Sequence, residues 1–174
     1  MTIQPVTVDN IEALTGFFGS LSERDLTFVR EDLSDTAAVS ALAGDPLRWV
    51  DIDDERVDGY VAVERLPGWS SHVGELRLVV DPARRGSGLG RGLAQHALTE
   101  AFKTGIRKVV VELAVDQEGA VAMFSRLGFT GEALLRDHIR DRDGHLHDLL
   151  VLAHNVDENW STIDGVGLSD ALMS

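Results

Sequence analysis

The sequence predicts a mixed fold, α+β or mixed α/β, in one domain. Two observations carry this. Segments with strand patterning and helical patterning follow one another as strand-strand-strand-helix-strand-helix-strand-strand, after two amino-terminal helices. A turn with four glycines in seven residues, Gly86 to Gly92, separates the third strand from the longest amphipathic helix. The length of 174 residues suits one domain by the loose rule of roughly 150 residues each. We expect a domain over 1–155 and a loose tail over 156–174.

The elements follow in order. Asn10 to Leu21 carries Ile11, Leu14, Phe17, Phe18 and Leu21 at helical spacing, with Asp9 or Asn10 as cap. Asp35 to Ala43 reads as a short helix, capped by Ser34 or Asp35 and stopped by Gly44 and Pro46. Leu47 to Ile52 and Gly59 to Leu66 read as two strands of a hairpin around the polar turn Asp53-Asp54-Glu55-Arg56. His72 to Val80 is a third strand, ended by Asp81-Pro82. Gly88 to Thr104 is a helix with Leu89, Leu93, Ala97 and Ala101 on one stripe, closed by Gly105. Lys108 to Val115 is a continuous β-branched run and reads as a buried strand. Gln117 to Leu127 is helical and ends at Gly128. Glu132 to Asp141 and His145 to His154 form a hairpin around Arg142-Asp143-Gly144.

Composition removes several classes of function. There is no cysteine, which excludes disulfides, thiolate zinc sites and cysteine nucleophiles. The net charge of −13 argues against nucleic acid or an anionic membrane as partner. With no apolar run of membrane-spanning length and no basic, apolar leader at Met1-Thr2-Ile3-Gln4-Pro5, we expect a soluble, cytoplasmic protein. The charge is uneven. Residues 84–108 hold Arg84, Arg85, Arg91, Lys103, Arg107 and Lys108 against Glu100 alone, within an otherwise acidic chain. This island coincides with the glycine-rich turn.

A glycine-rich turn that opens a helix is suited to a phosphate. Its backbone N–H groups converge without Cβ atoms between them, and the first amides of a helix have no internal acceptor. Known nucleotide fingerprints fail on spacing. After Gly86-x-Gly88 the third G-x-G-x-x-G position is Arg91, and no Lys follows the glycines as a P-loop requires. Instead, Arg85-x-x-Gly88-x-Gly90 resembles the R/Q-x-x-G-x-G/A pyrophosphate loop of the GNAT superfamily of acyl-CoA-dependent N-acetyltransferases. Gln117-Glu118-Gly119-Ala120-Val121-Ala122-Met123-Phe124-Ser125-Arg126-Leu127-Gly128-Phe129 resembles the second family segment, N-x-x-A-x-x-x-Y-x-x-x-G-F. The resemblance runs from about Val73 to Leu152, with a looser match before it.

The resemblance implies a central, mostly antiparallel sheet in which two parallel strands, His72–Val80 and Lys108–Val115, splay apart around a thioester. It implies acetyl-CoA as co-substrate. Backbone groups of Leu78, Val79 and Val80 would meet the pantetheine arm, and Arg85, Gly86, Ser87, Gly88, Leu89, Gly90 and Arg91 would hold the pyrophosphate. Gln117 and Phe124 stand at the family's asparagine and tyrosine positions, and phenylalanine has no proton to give a departing thiolate. Phe124 also reads as a core aromatic. An amine with a free pKa of about 10.4 benefits from a general base. Glu75 is the expected base, with Glu112 and His72 behind it and pairing with Arg77 as the alternative for Glu75. The Val80 amide is a candidate donor to the oxyanion. Tyr60, the only tyrosine, is a candidate for the acceptor side.

The carboxy-terminal hairpin carries three histidines among aspartates, but alternation places charge on a solvated face and Arg136 and Arg140 oppose a cation, so no metal site is expected. Asp137, His138 and Asp148 are candidates for contact with a cationic acceptor. The expected function is acetyl-CoA-dependent N-acetylation of a primary amine, a protein lysine or a small cationic amine, with a homodimer left open. The alternative is a non-catalytic acyl-CoA-binding sensor or regulatory module.

Overall fold

Seven strands form one sheet in the order β1-β2-β3-β4-β5-β7-β6, in a computed structural model that describes residues 1–27, 29 and 35–156. The strands are β1 (Ile3–Pro5), β2 (Arg48–Asp53), β3 (Arg56–Arg65), β4 (Val73–Val80), β5 (Lys108–Ala114), β6 (Thr130–Arg140) and β7 (Leu146–Asn155). The helices are α1 (Ile11–Gly19), α2 (Glu23–Thr27), α3 (Thr36–Ser40), α4 (Leu89–Lys103) and α5 (Glu118–Arg126). The pairs β1/β2, β2/β3, β5/β7 and β6/β7 are antiparallel, and β4/β5 is parallel. This is the mixed, mostly antiparallel sheet the sequence predicts. The Ser34 cap and the tail beyond residue 156 lie outside the described residues. Among the described residues no helix is long and apolar enough to cross a membrane.

The chain divides into two compact units. The first comprises Met1–Ala62 and Arg77–Ala97. Its core gathers Leu14, Phe17 and Phe18 from α1 with Val6, Val39, Val50, Val57 and Tyr60. The i, i+3, i+4 spacing on α1 puts those three side chains on one face. Asn10 Oδ1 accepts from the Thr7 amide at 2.9 Å and fixes the chain before α1. Asp35 caps α3 by accepting from the Ala37 amide at 3.0 Å. The β2–β3 hairpin turns through Asp54 and Glu55, both with positive φ (44° and 65°). A two-residue turn of that hand matches the twist of its strands, and it is strained in residues that carry a Cβ.

The second unit comprises Val63–Leu76 and Leu98–Ser174. Val109, Val111 and Leu113 of β5 are buried, whereas Val110 and Glu112 are only half-buried. The expected burial of β5 is thus corrected to an alternation, with one face fully covered. Phe124, Leu127 and Phe129 are buried, the Phe129 ring meets the ring of His154 on β7 edge-on at 5.4 Å, and the Phe124 and Phe129 rings meet edge-on at 5.1 Å. β6 lies at the end of the sheet with β7 as its neighbour, and ten of its eleven residues are exposed. The expected solvated face is therefore two solvated faces, and Leu134 and Leu135 are exposed along with the charges. A bulge between Leu135 and Ile139 with Asp137 at φ 50° interrupts this edge, as edge strands commonly do to avoid pairing with other chains.

Candidate active site

The glycine turn lies wholly within the first unit, and an ionic network anchors its beginning. The Asp81 amide donates to Asp58 O at 2.9 Å as β4 ends. Asp81 Oδ1 then accepts from the Ala83 amide at 2.8 Å, which caps a 3-10 turn over Pro82–Arg84. Arg56 bridges two carboxylates, with Nε 3.0 Å from Asp58 Oδ1 and Nη2 2.9 Å from Asp81 Oδ2. Arg84 Nε lies 3.1 Å from Asp58 Oδ2. Asp58 is buried (3% exposed), so these two guanidinium groups supply the compensation its charge needs.

Past this anchor the backbone turns through Gly86 (φ 77°) and Gly88 (φ 89°). A Cβ at either position would meet nothing within 4 Å, so the torsion itself, not crowding, requires glycine. The Arg85 and Ser87 amides donate within the turn, to Pro82 O and Arg84 O, both at 3.4 Å. The Ser87 hydroxyl donates to Arg84 O at 2.6 Å. For the amides of Gly86, Gly88, Leu89 and Gly90 no acceptor lies among the described residues. Four donors are thus left at the start of a fifteen-residue helix, where the dipole adds positive potential.

The three arginines of the turn are not equivalent. Arg84 is spent on Asp58. Arg85 holds Asp25 of α2 through Nη2, and its Nε reaches Val80 O at 3.3 Å. Partial burial pushes the Asp25 carboxyl up, but the Ser22 hydroxyl and the Arg85 guanidinium together outweigh it and hold the group below its ordinary value. Arg91 is exposed on the first turn of α4, with no ion-pair partner among the described residues. Sequence reasoning missed Asp25 and Asp58, because neither stands near the turn in the chain. Leu78, Val79 and Val80, which lead into the turn, are half-buried.

The remaining candidates fall elsewhere. In the second unit, β4 pairs with β5 at Val73↔Lys108, Gly74↔Val109 and Glu75↔Val110, where the parallel register ends. β5 itself continues to Ala114, paired with β7. Glu75 therefore stands, half-buried, where the parallel ladder stops. Gln117 precedes α5, and its Oε1 accepts from the Ala114 amide at 2.9 Å, which closes the β5–α5 turn. Phe124 is 1% exposed, so its ring belongs to the core. Glu112 is half-buried on β5, and His72 is exposed, its carbonyl accepting from the Arg107 amide at 2.8 Å. Tyr60 is buried in the first unit, where its hydroxyl accepts from Arg48 Nη1 at 2.6 Å. Asp148 Oδ1 accepts from the Asp137 amide at 2.9 Å and secures the β6 bulge.

A mixed sheet with a single parallel pair, and a glycine turn leading from one of those parallel strands into a helix, define an α/β fold built to present helix amides. The family model for the acetyltransferase (GNAT) family matches residues 11–129, and the chain belongs to that family. Ribosomal protein bS18-alanine N-acetyltransferase of Escherichia coli (strain K12) is 30% identical over 76 residues, which are 44% of this chain and 51% of that protein. The match thus spans about half the length of that relative. The ribosomal-protein-alanine N-acetyltransferase from Brucella melitensis shares the fold with a TM-score of 0.78 at 21% identity, over 89% of this chain and 99% of that one. So does yncA from Salmonella typhimurium, solved with its cofactor acetyl-CoA, with a TM-score of 0.73 at 23% identity, over 90% and 94% of the two chains.

Proposed function

We propose that this chain is an N-acetyltransferase that moves an acetyl group from acetyl-CoA to a primary amine in the cytoplasm. The observation that carries the reading is the set of four amides, Gly86, Gly88, Leu89 and Gly90, without acceptors among the described residues at the start of α4. A diphosphate supplies the acceptors these donors need, and Arg91 adds a cation beside them. Leu78, Val79 and Val80 lead into the turn and are assigned to the pantetheine arm, with the Val80 amide as donor to the carbonyl oxygen where charge develops. Glu75, where the parallel ladder stops, is assigned as the base that takes the proton of the attacking amine. Phe124 and Gln117 replace the family's tyrosine and asparagine. The coenzyme thiol has a pKa close to that of cysteine, about 8.5, so it can leave as a thiolate and take its proton from water.

The acceptor we assign is a cationic amine, with a protein amine ahead of a small one. The net charge of −13 attracts cations, and the relative matched over 76 residues is named for a protein substrate. One observation favours a second reading, a coenzyme-binding module without turnover: the residue at the tyrosine position, Phe124, is apolar and sealed in the core. The test is thiol release from acetyl-CoA with lysine peptides, peptides beginning with alanine, and polyamines, alongside calorimetric titration of coenzyme A. Turnover with any amine class supports the enzyme. Tight coenzyme binding without thiol release for any acceptor supports the module. Absence of coenzyme binding removes both.

A further inference from the structure

Arg85 immediately precedes Gly86, yet its guanidinium reaches back along the chain. Nε donates to Val80 O at 3.3 Å, and Nη2 donates to Asp25 Oδ1 of α2, 60 residues away in sequence. All three residues belong to the first unit. The Arg85 side chain is 51% exposed and that of Asp25 only 13%. An ion pair with one partner so open to water adds little to stability. Its effect lies in what it orients.

Asp25 is itself held firmly. Ser22-x-x-Asp25 forms a reciprocal cap at the start of α2. Asp25 Oδ2 accepts from the Ser22 hydroxyl at 2.6 Å and from the Ser22 amide at 3.4 Å, and Ser22 Oγ accepts from the Asp25 amide at 3.1 Å. One carboxylate oxygen is thus committed to α2 and the other to Arg85. At the far end of Arg85, the peptide group joining Val80 to Asp81 is gripped on both sides. Its carbonyl accepts from Arg85 Nε, and its N–H donates to Asp58 O at 2.9 Å. This peptide is where β4 ends and the chain departs toward the glycines. From there to Arg85 the backbone is closed on itself, with the Arg84 amide donating to Asp81 O at 2.8 Å and the Arg85 amide to Pro82 O at 3.4 Å. The orientation of that one peptide therefore carries through to Gly86.

We propose that Asp25 is a positioning residue for coenzyme binding: its carboxylate holds the Arg85 guanidinium on the Val80 carbonyl, and this fixes how the glycine turn leaves β4. The amides of Gly86, Gly88, Leu89 and Gly90 are then presented as an ordered set. Arg85 serves the diphosphate through the backbone it fixes, since its Nε and Nη2 are already engaged. Donors ordered in advance cost a ligand less to bind than donors it must first arrange. The inference rests on the coenzyme reading above and adds to it a residue from outside the turn.

The test is calorimetric titration of coenzyme A into the full chain and its variants, with thermal melting without ligand as the control. Asp25→Asn keeps the shape of the side chain and an acceptor for Ser22 but removes the charge on Arg85. It should raise the coenzyme Kd about tenfold. The KM for acetyl-CoA should rise by a similar factor while kcat stays within about twofold, the pattern of lost binding rather than lost chemistry. Asp25→Glu restores the charge and should recover most of the affinity. Arg85→Ala should weaken binding as Asp25→Asn does, and the double variant should be no worse than Arg85→Ala alone. Ser22→Ala loosens the cap of α2 but leaves the carboxylate, so it should lower Tm with less than about a threefold change in Kd. Wild-type or tighter coenzyme affinity in Asp25→Asn, additive losses in the double variant, or a Kd change in Ser22→Ala as large as in Asp25→Asn overturns the positioning role and leaves the coenzyme reading standing. Absence of coenzyme binding to the wild-type chain overturns both.

Discussion

Gly59 is where β3 lets α4 come close, and Gly59→Ala tests whether the glycine turn depends on that approach. A Cβ at position 59 would stand 2.6 Å from Leu93 Cδ1, 3.4 Å from Val79 O and 3.6 Å from Leu89 Cδ2. Carbon atoms rest at about 3.5–4.0 Å, so Leu93 must withdraw by about 1 Å. It has nowhere to go without disturbing its neighbours, because Leu93 is 0% and Leu89 4% exposed. Overpacking of this kind costs about 1–3 kcal/mol. For a chain of this size each kcal/mol lowers Tm by about 2–4 °C, so a fall of roughly 2–12 °C is expected. Leu89 and Leu93 anchor the first turns of α4, so the variant should also weaken coenzyme A by about tenfold, equivalent to about 1.4 kcal/mol. Urea denaturation and calorimetry read the two effects. Leu93→Val removes the clashing atom, so it should cost less in the Gly59→Ala background than in the wild type. Wild-type stability in Gly59→Ala, or strictly additive effects in the pair, would refute the reasoning.

Three further outcomes are expected. Gly88→Ala places a Cβ in open space at φ 89°, so about 1–2 kcal/mol of backbone strain should appear as lost stability or, if the turn relaxes, as a five- to thirtyfold rise in the coenzyme Kd. His154 is 0% exposed against Phe102 and Phe129, and its ring nitrogens find no partner on another described residue. Burial holds its pKa below the ordinary value, so the neutral ring stabilises the fold fully above about pH 6.5, and that contribution falls as pH drops toward the folded pKa, by up to about 1.4 kcal/mol per pH unit. Denaturation midpoints of His154→Phe between pH 5 and 7 should show a shallower slope than wild type; an equal slope would contradict this. Glu75→Gln should bind coenzyme A normally while kcat falls by about 10²–10⁴-fold, the usual share of a general base. An unchanged kcat across neutral pH would remove Glu75 from that role.

Much of the fold was legible because its signals are local. Leu89, Leu93, Ala97 and Ala101 are buried as their stripe implies, and Gly44, Gly105 and Gly128, read as the residues that stop three helices, all adopt positive φ. The elements not read from sequence are β1 and α2, of three and five residues. A segment that short shows no periodicity, and β1 exists because Ile3 and Pro5 find partners on β2 at Asp51 and Trp49. The position of β7 between β5 and β6 was equally unreadable, since neighbouring strands in the chain need not be neighbours in the sheet.

The sequence by itself determined the family and the place of the glycine turn. A turn requiring glycine torsions between a strand and a helix is written in consecutive residues, and so is the amide cluster that follows from it. Only the tertiary structure decided which charges around that turn are already spent. Arg84 meets Asp58 and Arg85 meets Asp25 across separations of 26 and 60 residues. It also decided that Phe124 is sealed in the core and that His154 is buried without a partner on another described residue. Pairs and burial of that kind are set by sheet register and by how helices lie on strands. No window of neighbouring residues contains that information.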